Sequence, residues 1–199
     1  MRLALLISLV VFGGVVPSVR ADDAFTKVIF DSTSTEGYIV PQDYAEEHKT
    51  ELTDTIPGLM KIDGFWTPTA QDVEVADRVL RDLINDAARD PAKLFPDLAT
   101  SKDPDDRKAF KEESNELVLV SKNYGRYLRQ YVGVIIEKQK LVFCNYSCGT
   151  KIDPSADYIF IDKVFAPDGA IRFLQCRFEP REKACSSVSL IGSWQPLPK

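Results

Sequence analysis

One histidine, His48, serves the whole of this 199-residue chain, and that scarcity narrows the chemistry available to it. Nucleophilic triads of the Ser-His-Asp or Cys-His kind set an imidazole beside the attacking group. His48 instead lies in the charged run 43–53, with no serine or cysteine next to it, and reads as a surface residue. Phosphate-cradling GxGxxG and GxxxxGK patterns are missing, as is the zinc-protease HExxH. Positive charge is also short, with 25 Lys and Arg against 30 Asp and Glu. A nucleic acid or an anionic membrane as the main partner calls for a clustered basic face, so this balance argues against both. Long apolar runs are absent beyond the first residues. The longest covers residues 3–16, roughly 14 positions where a membrane span needs about 20.

That first run has the parts of an export signal: Arg2, the apolar stretch, then Val19-Arg20-Ala21 with small residues at the two positions a signal peptidase reads. Cleavage is expected before Asp22, giving a secreted or periplasmic protein. No cysteine follows the apolar stretch, which argues against a lipid anchor. The mature chain of 178 residues then carries 23 basic and 30 acidic side chains, a formal charge near −7. This length is one domain's worth and can bury a sizeable core.

The expected organisation is a signal peptide over residues 1–21, a lead-in segment over 22–63 and a single α+β domain over 64–199. In the lead-in, residues 25–30 and 38–41 suggest short strands, residues 43–53 suggest an exposed helix, and Ile56-Pro57-Gly58 suggests a turn. Thr69 followed by Asp72 marks a helix start, since a hydroxyl and a carboxylate at that spacing satisfy free N–H groups of the first turn. Val73, Ala76, Leu80, Leu83, Ile84 and Ala87 then fall on one face, with Glu74, Asp77, Arg78, Arg81 and Asp82 on the wet one. Asp90 before Pro91 ends the helix. Phe65 and Trp66, just ahead of the cap, are expected to fold back as an apolar anchor, with a binding-surface role for Trp66 as the alternative. A second helix is expected over 106–122, with Phe110, Leu117 and Val120 inward.

From Arg126 the period becomes two. Residues 126–136 and 141–147 read as paired strands joined by a charged turn at 137–140, and further strands are expected at 158–165, 170–178 and 187–193. Pro167-Asp168-Gly169 is a strong turn signal between two of them. Short connections favour an antiparallel meander. The expected fold is therefore α+β: one or two helices packed on a four- to five-stranded antiparallel meander sheet, cystatin-like or NTF2-like.

GFWTPT leading into the helix, RQYVGVI, the PDG turn followed by RFLQCRFE, and the closing SLIGSW together resemble a group of small secreted bacterial proteins with no established activity. The resemblance spans residues 64–193, and Ala170-Ile171-Arg172 departs from the glycine-rich stretch expected after the turn. It implies fold and compartment and brings no catalytic residues with it.

Cys144, Cys148, Cys176 and Cys185 are the candidate disulfide residues, since an exported chain meets an oxidising compartment. On one extended strand Cys144 and Cys148 would lie ~13 Å apart, beyond disulfide reach. Pairings across the sheet, 144 with 176 and 148 with 185 or the reverse, are then favoured. A strand ending at Asn145 would restore 144 with 148 and 176 with 185. Spacings of three and eight intervening residues and a single histidine argue against zinc, so no metal and no cofactor are expected.

Arg126, Arg129 and Gln130 are the candidate pocket residues, facing a concave sheet surface. The leading functional expectation is a secreted binding or structural module whose partner, a protein or a small molecule, is not named by the sequence. Two alternatives stand beside it. One is a hydrolase using carboxylates from distant positions, such as Glu137 and Asp162. The other is a cystatin-like protease inhibitor, suggested by Gln130-Tyr131-Val132-Gly133, although that segment reads as strand interior. Asn145-Tyr146-Ser147 is a glycosylation sequon inside a strand, where use is not expected.

Overall fold

The charged turn at 137–138 closes as a two-residue hairpin loop in which Glu137 and Lys138 take φ of 50° and 66°, the left-handed pair of a type I′ turn. It joins β4 (Tyr127–Ile136) to β5 (Gln139–Cys148) in unbroken antiparallel register from Tyr127↔Cys148 to Ile136↔Gln139. In this computed structural model, residues 25–30, 35–50, 52, 62–148, 173–190 and 193–196 are described. The strand expected at 158–165 and the turn at 167–169 lie outside them, as does the leader.

Among the described residues eight strands form one mixed sheet, and the fold is α+β. β6 (Phe173–Glu179), β7 (Ala184–Leu190) and β8 (Ser193–Pro196) continue from β5 in antiparallel succession. The antiparallel pairing of β4 with β5 is as expected, and β6 pairs directly with β5. The sheet also extends on the other side of β4, through β2 (Thr35–Val40), which runs parallel to it, and β1 (Thr26–Phe30), antiparallel to β2. The short β3 (Gly64–Trp66) pairs with the far half of the same β4 edge. A wholly antiparallel sheet is thus corrected to a mixed one. Parallel pairing of β2 with β4 needs a long crossover, which residues 41–126 supply and which local turn signals do not reveal.

Four described helices belong to that crossover. α1 (Gln42–Glu47) is tied to β3 by the Glu46 carboxylate, which accepts from the Phe65 N–H at 3.2 Å. α2 (Ala70–Arg89) starts on the expected capping box: Thr69 Oγ1 accepts from the Asp72 N–H at 3.1 Å, and Asp72 Oδ2 accepts from the Thr69 N–H at 3.0 Å. α3 (Pro96–Thr100) is a single short turn region. α4 (Pro104–Asn123) starts two residues earlier than the periodicity suggests, because Asp103 caps it and Pro104 suits the first helical position.

Both faces of β4 are covered, which is why its ten residues read as a nearly continuous apolar run. α2 and α4 pack one face, burying Val73, Ala76, Leu80, Ile84, Leu117 and Val120 against Tyr131, Val142, Cys144, Leu174 and Phe178. On the other face Ala45, Leu52 and Phe65 meet Val40, Val132, Val134, Leu141 and Phe143.

Trp66 folds back as the anchor expected of it. Its indole N–H donates to the carbonyls of Val134 and Leu141 at 3.2 and 3.1 Å, and Lys140 Nζ lies 4.8 Å from the ring centroid. The close approach requires Gly133, since a Cβ there would collide with the Trp66 carbonyl and sit 2.9 Å from its ring.

Candidate functional site

Alternation along β4 sends neighbouring side chains to opposite faces, so Arg129 and Gln130 cannot share a site. Arg129 points under α2, Gln130 points away from it, and Arg126 is exposed on the short 3₁₀ turn Tyr124–Arg126. The three expected pocket residues are therefore not brought together.

Under α2 the helix supplies Asp77. Expected on the wet face, it is instead buried, because it lies one turn beyond Val73 and next to Ala76 on the edge of the apolar stripe. Its Oδ1 accepts from Arg129 Nε at 2.6 Å, from the Tyr146 hydroxyl at 3.2 Å and from the Tyr124 hydroxyl at 3.3 Å. The Tyr124 hydroxyl also reaches the Asp77 carbonyl at 3.0 Å. Tyr131 and Tyr146 join hydroxyl to hydroxyl at 3.1 Å. Arg129 also donates through Nη1 and Nη2 to the carbonyls of Tyr127 and Tyr124, at 3.1 and 3.3 Å. The rings of Phe30, Tyr124 and Tyr146 lie 5.2 to 5.5 Å from its guanidinium carbon, within cation–π range.

These contacts set the protonation of the cluster. Burial pulls the Arg129 guanidinium down, but Asp77 and the surrounding phenols more than offset this and hold it above its ordinary value. Burial pushes Tyr124, Tyr131 and Tyr146 well up, and the Asp77 charge adds to it in each case. The cluster is an ion pair capped by neutral phenols. Asp77 Oδ1 and three of the five N–H groups of Arg129 are directed at protein groups.

On the opposite face a different polar row crosses the sheet. Gln130, Asn145, Gln175 and Ser189 are successive register partners on β4, β5, β6 and β7. Asn145 donates to Gln130 Oε1 at 3.4 Å, and Gln175 donates to Asn145 Oδ1 at 3.3 Å. Ser187 and Ser189 share this face by plain alternation, opposite Arg177 and Gln175, while a bulge beyond them between Arg177 and Phe178 changes the alternation for the rest of β7. Both serines are buried, at 9% and 1% exposure, and among the described residues their hydroxyls have no hydrogen-bond partner.

Beyond the bulge Cys185 pairs with Phe178 on the α2 side of the sheet, where its Sγ lies 2.7 Å from Cys176 Sγ. Cys144 is directly opposite Cys176 across β5 and β6. Cys148 closes β5 opposite Tyr127, so β5 stays extended through both of its cysteines. No group of three or more His, Cys, Asp or Glu able to hold a metal ion occurs among the described residues. No described helix is long and apolar enough to cross a membrane.

Of the remaining candidates, Glu137 is exposed in the β4–β5 turn and Asp162 lies outside the described residues. Gln130 to Gly133 is buried in the middle of β4, between β2 and β3 on one side and β5 on the other. His48 stacks on Tyr44 with ring centroids 4.3 Å apart. Sequence reasoning missed Asp77, the tyrosine triad, Asn145, Gln175 and the two serines. For Tyr131, Tyr146, Asn145 and Gln175 the only signal was a polar group inside a segment that otherwise reads as strand core, and Asp77 and Tyr124 carried none. Comparison of the chain with protein-family models, with curated proteins and with solved structures finds no match.

Proposed function

We propose that the chain is an exported binding module that works without a cofactor, and that its recognition face is the side of the sheet away from α2. The observation that carries this reading is the uneven use of hydrogen-bonding capacity. Under α2, Asp77 and Arg129 are engaged by protein groups. On the other face Ser187 and Ser189 keep unpartnered buried hydroxyls beside a row of amides held by contacts of 3.3 to 3.4 Å. Buried polar groups without partners are costly, so such a row is suited to a ligand that completes them. Neutral amides and hydroxyls match a ligand rich in hydroxyls or carbonyls, such as a glycan or a peptide backbone, and provide no strong acid or base. The export signal and the resemblance to small secreted bacterial proteins support the compartment. The fold proposed with this reading is a helix wrapped by a curved meander, as in cystatin-like and NTF2-like proteins.

A hydrolase of the two-carboxylate kind would need a second carboxylate near Asp77, and Asp77 is the one buried carboxylate among the described residues. An inhibitory segment has to enter a protease cleft, which the mid-strand place of Gln130 to Gly133 weighs against. The test is a thermal-shift titration of the mature chain with neutral glycans and short peptides, alongside ester and glycoside hydrolysis assays. The expected result is ligand-dependent stabilisation that is lost in Gln175→Ala and Ser189→Ala, with no turnover. Turnover that disappears in Asp77→Asn at equal folded fraction would replace this reading with the hydrolase.

A further inference from the structure

Three of the four cysteines converge on one point of the α2-facing core, and nothing in the binding role uses them. Cys144 and Cys176 are fully buried and directly opposite on adjacent strands, while Cys185 has 9% exposure. The approach of Cys185 is a product of the β7 bulge. In an unbulged ladder with Cys176 opposite Val188, Cys185 would face the other side of the sheet with the serines. The irregularity turns Cys185 inward and brings its sulfur to 2.7 Å from that of Cys176, closer than two unbonded sulfurs rest.

We propose that Cys176 and Cys185 are a disulfide site that fastens the β6–β7 hairpin at its bulge, and that Cys144 is kept beside it as a buried free thiol. Cys144 has the same register partner, Cys176, and its thiol lies within hydrogen-bond reach of both Cys176 and the Val142 carbonyl, the latter at 3.8 Å, but the sulfur brought to 2.7 Å is that of Cys185. The bond is made at the expense of a small-molecule or protein disulfide. One cysteine thiolate attacks that donor and releases a thiolate, the second cysteine thiolate attacks the mixed disulfide and releases another, and the two protons given up by the cysteines end on the two released thiolates as thiols. The two electrons end on the donor. Burial raises the thiols of Cys176 and Cys144 and closes their access, so the reaction belongs to folding, before the sheet is covered by α2.

This assignment does not depend on the binding reading, and it is tested with added oxidant whatever the compartment. The full chain is refolded in oxidised and reduced glutathione, alkylated under denaturant, digested without reduction and mapped by mass spectrometry. The expected product is a linked Cys176–Cys185 peptide two hydrogens lighter than its reduced form, with Cys144 alkylated. The Cys144→Ser/Cys148→Ser chain should give the same linked peptide, and its melting temperature should fall on reduction. A Cys144–Cys176 link, any Cys148 link in its place, or four alkylated thiols would overturn the assignment.

Discussion

Arg129 stays charged in a place where an isolated guanidinium would be strongly disfavoured, because Asp77 meets it at 2.6 Å and two backbone carbonyls accept from its Nη1 and Nη2. The phenols that complete the cluster are held neutral by the same setting. Tyr124, Tyr131 and Tyr146 all hold their protons more tightly in the folded chain than an exposed tyrosine does. Above the unfolded value of about pH 10 the folded state therefore binds more protons than the unfolded one. Their stabilising contribution is complete below that pH and is lost as pH rises through the folded values. In an alkaline titration followed at the tyrosinate band, these three tyrosines should ionise only together with loss of the far-ultraviolet circular dichroism signal. Ionisation of all seven tyrosines in a still-folded protein would contradict this. At this scale little was legible in advance. Asp77 sits among charged residues at helical spacing, and only the partner 52 positions away decides that it turns inward.

Elements were more readable than residues, because their signals are local. The α2 cap and stop, the apolar stripe of α4 and the β4–β5 pairing all follow from spacing and from the residues at their ends. Residues 26–40 were not readable as part of the sheet, since their pairing partners lie on β4, far along the chain. The hairpin turn shows a local rule being broken. Glu137 and Lys138 occupy left-handed conformations that favour Asn and Gly, and the turn is held in part by Asp63 Oδ2, which accepts from the Lys138 N–H at 3.1 Å. Each left-handed non-glycine residue costs about 1–2 kcal/mol. Glu137→Asn/Lys138→Gly should therefore stabilise the protein by roughly 1 kcal/mol in urea denaturation. An unchanged or lower midpoint would show that the two native side chains make compensating contacts.

For the whole molecule, the sheet has one face that carries the ion pair and one whose buried Ser187 and Ser189 hydroxyls have no hydrogen-bond partner among the described residues. The α2 side holds the larger core, the ion pair and the cysteine cluster, and the far side combines a smaller core with the amide and hydroxyl row. This division was invisible in the sequence, because Arg129 and Gln130 are adjacent there and read as one candidate pocket. In the fold a single step along β4 separates them onto opposite sides. The central claim is that the Asp77–Arg129 ion pair holds α2 to the sheet. A double-mutant cycle in urea denaturation with Asp77→Leu, Arg129→Met and the pair tests it most directly. Each single change should destabilise by about 3–5 kcal/mol, because it strands a buried charge, and the double should recover most of that loss. Singles within about 0.5 kcal/mol of the unmodified protein, or strictly additive losses, would contradict the claim.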